Sequence, residues 1–141
     1  MNYPKIKLIF SIYGDLLDSQ AFSKLVDQDP TDHWVKGDIV KNRKINILRK
    51  ETAWEYEIDY IVTWDLDEVA ELFLHKFSPY VDIIANYIEI NELMSKFDFV
   101  IEMTEEAKPS CYFFKNFIDF TAKIGAEIGI SLYVFDSDPN S

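Results

Sequence analysis

Thr52-Ala53-Trp54-Glu55-Tyr56-Glu57-Ile58-Asp59-Tyr60-Ile61-Val62 alternates large apolar side chains with acidic ones over most of its length. A period of two marks a strand with one buried face. The stretch therefore predicts Trp54, Tyr56, Ile58, Tyr60 and Val62 facing a core, with Glu55, Glu57, Asp59 and Ile61 turned away. The same period recurs upstream in Lys5 to Tyr13, where Ile6, Leu8, Phe10 and Ile12 lie opposite Lys5, Lys7, Ile9 and Ser11. Downstream, Phe97, Phe99, Ile101 and Met103 alternate with Asp98, Val100, Glu102 and Thr104, and Ile130 to Phe135 reads as a last strand. Between the first two strands the pattern is weak. His33-Trp34-Val35 fits a short strand, Gly37-Asp38 a turn, and Ile45 to Leu48 either a strand or a loop.

Helical spacing fills the gaps. Asp18 or Ser19 caps a short helix through Ala21, Phe22, Leu25 and Val26, which Asp29-Pro30 ends. Asp65 stands three residues before Glu68, as in a capping box, and Val69, Leu72, Phe73 and Phe77 continue the stripe. Ser78-Pro79 opens a further helix that runs to about Met94 through Val81, Ile84, Ala85, Ile88 and Leu93. Phe114, Phe117, Ile118, Thr121 and Ile124 predict a last helix ending near Gly125 or Gly129. Helices on one face of a mainly antiparallel or mixed sheet bury every stripe, so the expected fold is a two-layer α+β sandwich. Residues 1–141 read as one domain, with residues 136–141 a frayed tail.

Composition narrows the function. Fourteen Lys and Arg against 25 Asp and Glu leave a net charge of −11, which disfavours a nucleic-acid partner. At 48% hydrophobic and 16% aromatic residues the chain can fill a core, which argues against disorder. A single Cys allows no internal disulfide and suits a reducing cytoplasm. The run Leu8 to Tyr13 is too short for a secretory signal, and no segment approaches the roughly 20 apolar residues that span a bilayer. A cytoplasmic protein without a membrane contact is expected.

The charge is uneven: residues 36–50 carry six basic side chains and one acid, whereas residues 51–106 carry fifteen acids and only Lys76 and Lys96. Glu55, Glu57 and Asp59 share one strand face, and Asp98 and Glu102 share another. If the two strands lie close, these residues form a carboxylate patch, and like charges opposed across strands need compensation. Either a basic partner supplies it, or Lys5, Lys7 and the Lys36 to Lys50 segment do so within the fold.

Chemical motifs are missing. His33 and His75 lack further ligands at metal spacing, and Cys111 lacks a His partner. Asp65-Leu66-Asp67 is explained by helix capping and by complementarity to the helix dipole rather than by a metal. There is no P-loop and no nucleophile elbow. No catalytic, cofactor-binding or metal-binding residue is assigned. Trp54, Tyr56 and Tyr60 are assigned to the core. Trp34, in the polar stretch Asp32-His33-Trp34-Val35-Lys36-Gly37-Asp38, is either packed or a partner anchor, and Gly37 serves a turn with positive φ.

Several separated segments resemble one bacterial family, domain of unknown function 4279. Phe10-Ser11-Ile12-Tyr13-Gly14-Asp15 is similar to its opening strand and turn, Trp34-Val35-Lys36-Gly37-Asp38 to its Trp-x-Lys-Gly-Asp segment, and Thr52-Ala53-Trp54 to its Thr-x-x-Trp strand entry. Ile118 to Tyr133 resembles its closing helix, Ile-Gly-Ala turn and strand ending in Leu-Tyr, with Ser131 where the family tends to have Asp. The resemblance implies a single α+β domain of about this length and brings no activity, cofactor or catalytic residue.

The expected function is that of a non-catalytic acidic protein-binding module, an immunity protein that occludes the active site of a toxin domain such as a nuclease. Glu55, Glu57, Asp59, Asp98 and Glu102 would meet a basic groove, with Trp34 and Tyr133 as anchors. The competing expectation is a small-ligand-binding or regulatory domain with an aromatic pocket between sheet and helices.

Overall fold

Apolar side chains at every second position of three long segments can all be buried only if those segments lie side by side with one common face inward. A computed structural model describing residues 2–137 has this arrangement. In chain order it comprises β1 (Lys5–Tyr13), α1 (Ser19–Val26), β2 (Asp32–Trp34), β3 (Ala53–Val62), α2 (Leu66–Phe77), a 3-10 turn (Ser78–Tyr80), α3 (Val81–Ile90), β4 (Met94–Thr104), α4 (Lys115–Ile124) and β5 (Glu127–Phe135). The five strands form one mixed sheet in the order β2-β3-β1-β4-β5. Neighbours are antiparallel except β4 and β5, which are parallel and joined through α4. The helices contribute to a single core on one side of the sheet, giving an α+β sandwich. No helix of the described residues is long and apolar enough to cross a membrane. Of the tail placed at residues 136–141, residues 138–141 lie outside the described residues.

The core is aromatic. Phe10, at the centre of β1, packs against Phe73 and Phe97 with ring centroids 5.0 Å apart in each case, and Phe73 stacks on Phe77 at 4.6 Å. Trp54 is fully buried and donates its indole N–H to Ser23 Oγ at 2.9 Å, so its one polar atom is satisfied.

Five expectations from sequence need correction. The alternation of β3 breaks before its end: Ile58 pairs with Leu8 and Ile61 with Ile6, so Asp59 and Tyr60 together oppose Lys7 in a bulge. Ile61 thereby turns toward the core, Val62 is exposed, and Tyr60 leaves the core face to lie under Lys5 and Lys7. The capping box at α2 is also different. Asp65 is the N-cap but its side chain makes no capping bond; Thr63 Oγ1 instead donates to the Glu68 carboxylate and accepts from Asp65 N–H. The helix after Ser78-Pro79 stops at Ile90, not Met94, because Glu92 takes a left-handed φ of 52° and Leu93 N–H turns back to Ile88 O. Leu72 is half-exposed on α2 rather than buried. The first helix, meanwhile, ends at Asp27 in a left-handed conformation, two residues ahead of Asp29-Pro30.

Phe10→Ala is expected to cost about 3–5 kcal/mol in chemical denaturation, because the cavity would open at the meeting point of sheet and helices. Leu72→Ala should stay within about 1 kcal/mol. Equal losses would contradict this placement of the core.

Candidate functional site

The side of the sheet away from the helices is bare, and strand register places its residues in rows. Tyr133, Glu102 and Lys5 form one row; Gly129, Asp98, Ile9 and Glu57 form the next but one. Glu127, Lys96, Ser11, Glu55 and Asp32 form another. Six carboxylates, from Asp32, Glu55, Glu57, Asp98, Glu102 and Glu127, thus share the face with Lys5, Lys7 and Lys96.

The lysines sit among the acids. Lys5 reaches Glu102, Lys7 reaches Glu57 and Lys96 reaches Asp98, each at 3.6 Å. Tyr60 joins this network from the bulge. Its hydroxyl donates to the Glu102 carboxylate, a bond that together with burial pushes its pKa up to about 12. Charge neutralisation within the fold is therefore partial, and it comes from the strand lysines. Of the basic 36–50 segment, only Lys36 makes an ion pair among the described residues, with Asp15 at 3.2 Å.

That basic segment folds back on itself as an exposed hairpin-like loop. Ile39 bridges to Leu48, Val40 N–H donates to Ile47 O, and Arg49 N–H donates to Asp38 O. Its base is pinned by the segments that resemble the family. Asp38 Oδ2 accepts from Val35 N–H, Gly37 holds a φ of 93°, and Lys36 N–H donates to the buried Thr52 hydroxyl. Gly14 N–H closes on Thr52 O at 2.9 Å. The Trp-x-Lys-Gly-Asp, Tyr-Gly-Asp and Thr-x-Trp pieces, scattered in sequence, thus meet at one corner of the bare face.

At that corner lies a cavity of about 350 Å³ between the loop base and the sheet. Trp34 forms one wall, half-buried, with the Arg49 guanidinium stacked 3.7 Å from its ring centroid. Tyr13, Lys50 and Glu51 line the rim, and Ser11, Glu55 and Lys96 form the floor on the sheet. Ser11 Oγ donates to Glu55 Oε2 at 2.9 Å. Burial raises the Glu55 pKa; the Ser11 bond opposes this and Asp32 across the strands reinforces it. Arg49, Lys50 and Lys96 beside Glu51 and Glu55 present donors and acceptors for an amphoteric group against an aromatic wall.

The seven residues singled out from sequence are distributed over this face. Glu55 and Trp34 line the cavity, Glu57, Asp98 and Glu102 are ion-paired in the rows, and Tyr133 lies on β5 beside Glu102. Asp59 is displaced into the bulge, where its carboxylate accepts from Tyr60 N–H. Sequence reading passed over Ser11, Tyr13, Arg49 and Lys96, although the outward parity of Ser11 and Tyr13 was visible. Elsewhere, Cys111 is exposed and burial of its sulfur raises its pKa. Among the described residues no group of three or more His, Cys, Asp or Glu side chains is placed to hold a metal ion.

Glu55 supplies a pH test with a definite sign. Its folded pKa lies above the model-compound value of 4.5, so the folded protein holds the proton more tightly than the unfolded chain. The stability this gives is complete below pH 4.5 and declines as pH rises through the folded pKa. Glu55→Gln keeps an oxygen acceptor for Ser11 and abolishes the decline. The melting temperature of the wild type relative to the variant should therefore fall as pH is raised from below 4.5 toward neutrality. A relative rise would mean that the fold favours the carboxylate.

Neither a curated protein nor a solved structure matches the chain. Residues 4–135 match the family described as Domain of unknown function (DUF4279), from the start of β1 to the end of β5. The chain belongs to that family.

Proposed function

We propose that the protein is a non-catalytic binding module whose bare sheet face engages a basic protein partner, in the manner of an immunity protein occluding the active site of a toxin domain. One observation carries the reading: six carboxylates project from an uncovered sheet face that holds only three lysines. Five of the six have hydrogen-bonding or ionic partners within the fold. Those bonds hold the carboxylates in fixed positions, so little side-chain entropy is lost when a partner's cations replace or join the lysines. The face is broad and shallow, which suits a protein more than a small molecule. The surplus of negative charge would steer a basic groove toward it and raise the association rate.

A second reading rests on the cavity at Trp34. Its volume of about 350 Å³ lies within the range of small-ligand sites. The aromatic residues between sheet and helices are occupied in packing against one another, so a ligand site is better sought on the outer face than inside. An amphoteric metabolite with a planar portion would suit Trp34, Arg49 and Glu55.

Association rates separate the two readings when the protein is presented with the products of the genes adjoining its own. Protein binding at the face predicts a complex with one of them that weakens with salt, with Glu57→Lys plus Asp98→Lys slowing association about tenfold or more. A complex indifferent to those substitutions would remove the face from the interface. Native mass spectrometry that finds a small molecule bound, lost in Trp34→Ala, would favour the second reading.

A further inference from the structure

The two edges of the sheet differ. One ends in β2, three residues long and flanked by the basic loop. The other ends in β5, nine residues long, which from Ile128 to Phe135 carries no charge and no proline. A long, apolar, uncharged edge strand presents unpaired backbone N–H and C=O groups that most proteins take care to block.

The side chains of β5 repeat the message. Ile128, Ile130 and Leu132 pair in register with Phe97, Phe99 and Ile101 and so point to the helix side of the sheet. Those β4 partners are fully buried, yet Ile128, Ile130, Leu132 and Val134 remain 38–57% exposed. The cause is the position of α4. Asn116 and Lys123 tie one flank of that helix to Glu71 on α2 and Asp82 on α3. By helical spacing, the opposite flank carries Phe114 and Ile118, both about half exposed. An apolar row on the strand and an apolar flank on the helix thus meet at an edge that none of the described residues covers.

We propose that this edge is covered by a second copy of the chain, the two β5 strands pairing antiparallel about a two-fold axis to make one ten-stranded sheet. Self-complementarity is the requirement of such an axis, and β5 meets it. With Ser131 at the axis, Ile128 faces Val134 and Ile130 faces Leu132 on the helix side, all aliphatic pairs. On the bare side Gly129 faces Tyr133, so an aromatic ring covers the backbone that glycine leaves open. A Cβ at Gly129 would come within 2.8 Å of Asp98 Oδ1, so a larger residue there would have to push that carboxylate aside. The acids at the strand ends avoid one another: Glu127 falls opposite Phe135, and Asp136 opposite Ala126.

Charge identifies the occupant. A partner attracted by the net charge of −11 would be drawn to the carboxylate face, whereas this edge offers it none. A second copy brings an equally uncharged strand and meets no like-charge opposition along the pairing. The arrangement leaves the bare face open and doubles it, so it holds whether or not that face takes a basic partner.

Sedimentation velocity of the full chain over about a hundredfold concentration range tests this. The wild type should sediment as a dimer that dissociates on dilution, and Leu132→Lys should be monomeric with an unchanged melt of the protomer. Leu72→Lys, on the exposed face of α2, should remain dimeric. Hydrogen exchange of the wild type alone gives an independent reading, since β5 amides should lose protection as the protein is diluted while β1 amides keep theirs. A monomer at every concentration would overturn the proposal. So would a dimer that survives Leu132→Lys, or β5 protection independent of concentration.

Discussion

Everything in this fold is referred to β1. It is the central strand, antiparallel to both β3 and β4, and its inward side chains Ile6, Leu8, Phe10 and Ile12 are completely buried. A slip of one residue in either pairing would send Lys5 and Lys7 into the aromatic core and Phe10 into water, so the register is strongly specified. The helices then have one surface to cover. Phe73 and Phe77 of α2 reach Phe10 directly, and Phe117 and Phe120 of α4 extend the same aromatic network through Phe97.

The outward side of β1 has the complementary task. With acids on both neighbouring strands, repulsion across the sheet would be destabilising without cations between them. Lys5 and Lys7 stand there, flanked by Glu102 and Glu57. The bulge in β3 adds to this by giving Lys7 two residues to oppose, which turns the Tyr60 ring outward beneath both ammonium groups at 4.6 and 4.8 Å. The face is therefore not a loose collection of surface acids. It is a held array, in which each lysine satisfies one carboxylate and leaves a net negative surplus.

Much of the architecture was legible because period two is hard to imitate: Lys5 to Tyr13 and Phe97 to Met103 lie in the strands and on the faces that their alternation predicts. The same rule failed at Tyr60-Ile61-Val62, where three apolar residues in succession fit either parity and only pairing with Ile6 decides between them. Helix starts were read better than helix ends. Asn91 stops α3 with its side-chain amide donating to Tyr87 O, a signal easily passed over, and Glu92 adopts positive φ without being glycine. The candidate site was half visible for a different reason. Trp34 and Glu55 stood out individually, but Arg49 reaches Trp34 only because the loop closes, and loop closure is a tertiary event that local pattern does not report.

Three of the segments that resemble the family, those holding Gly14, Trp34 to Asp38 and Thr52, converge on that closure, and the physics of each residue explains why. Gly37 permits the turn, Asp38 caps Val35 N–H, and Thr52 accepts from both Gly14 and Lys36, so strand entry and loop base are locked to one another. None of these residues contributes to the core between sheet and helices. A fold of this kind could close β1 to β3 with far simpler turns. What the pinned corner adds is an aromatic wall, a stacked guanidinium and a partly buried carboxylate held around a cavity at the end of the charged face. These contacts fix that corner and place the cavity directly beside the Glu55 row of the carboxylate face.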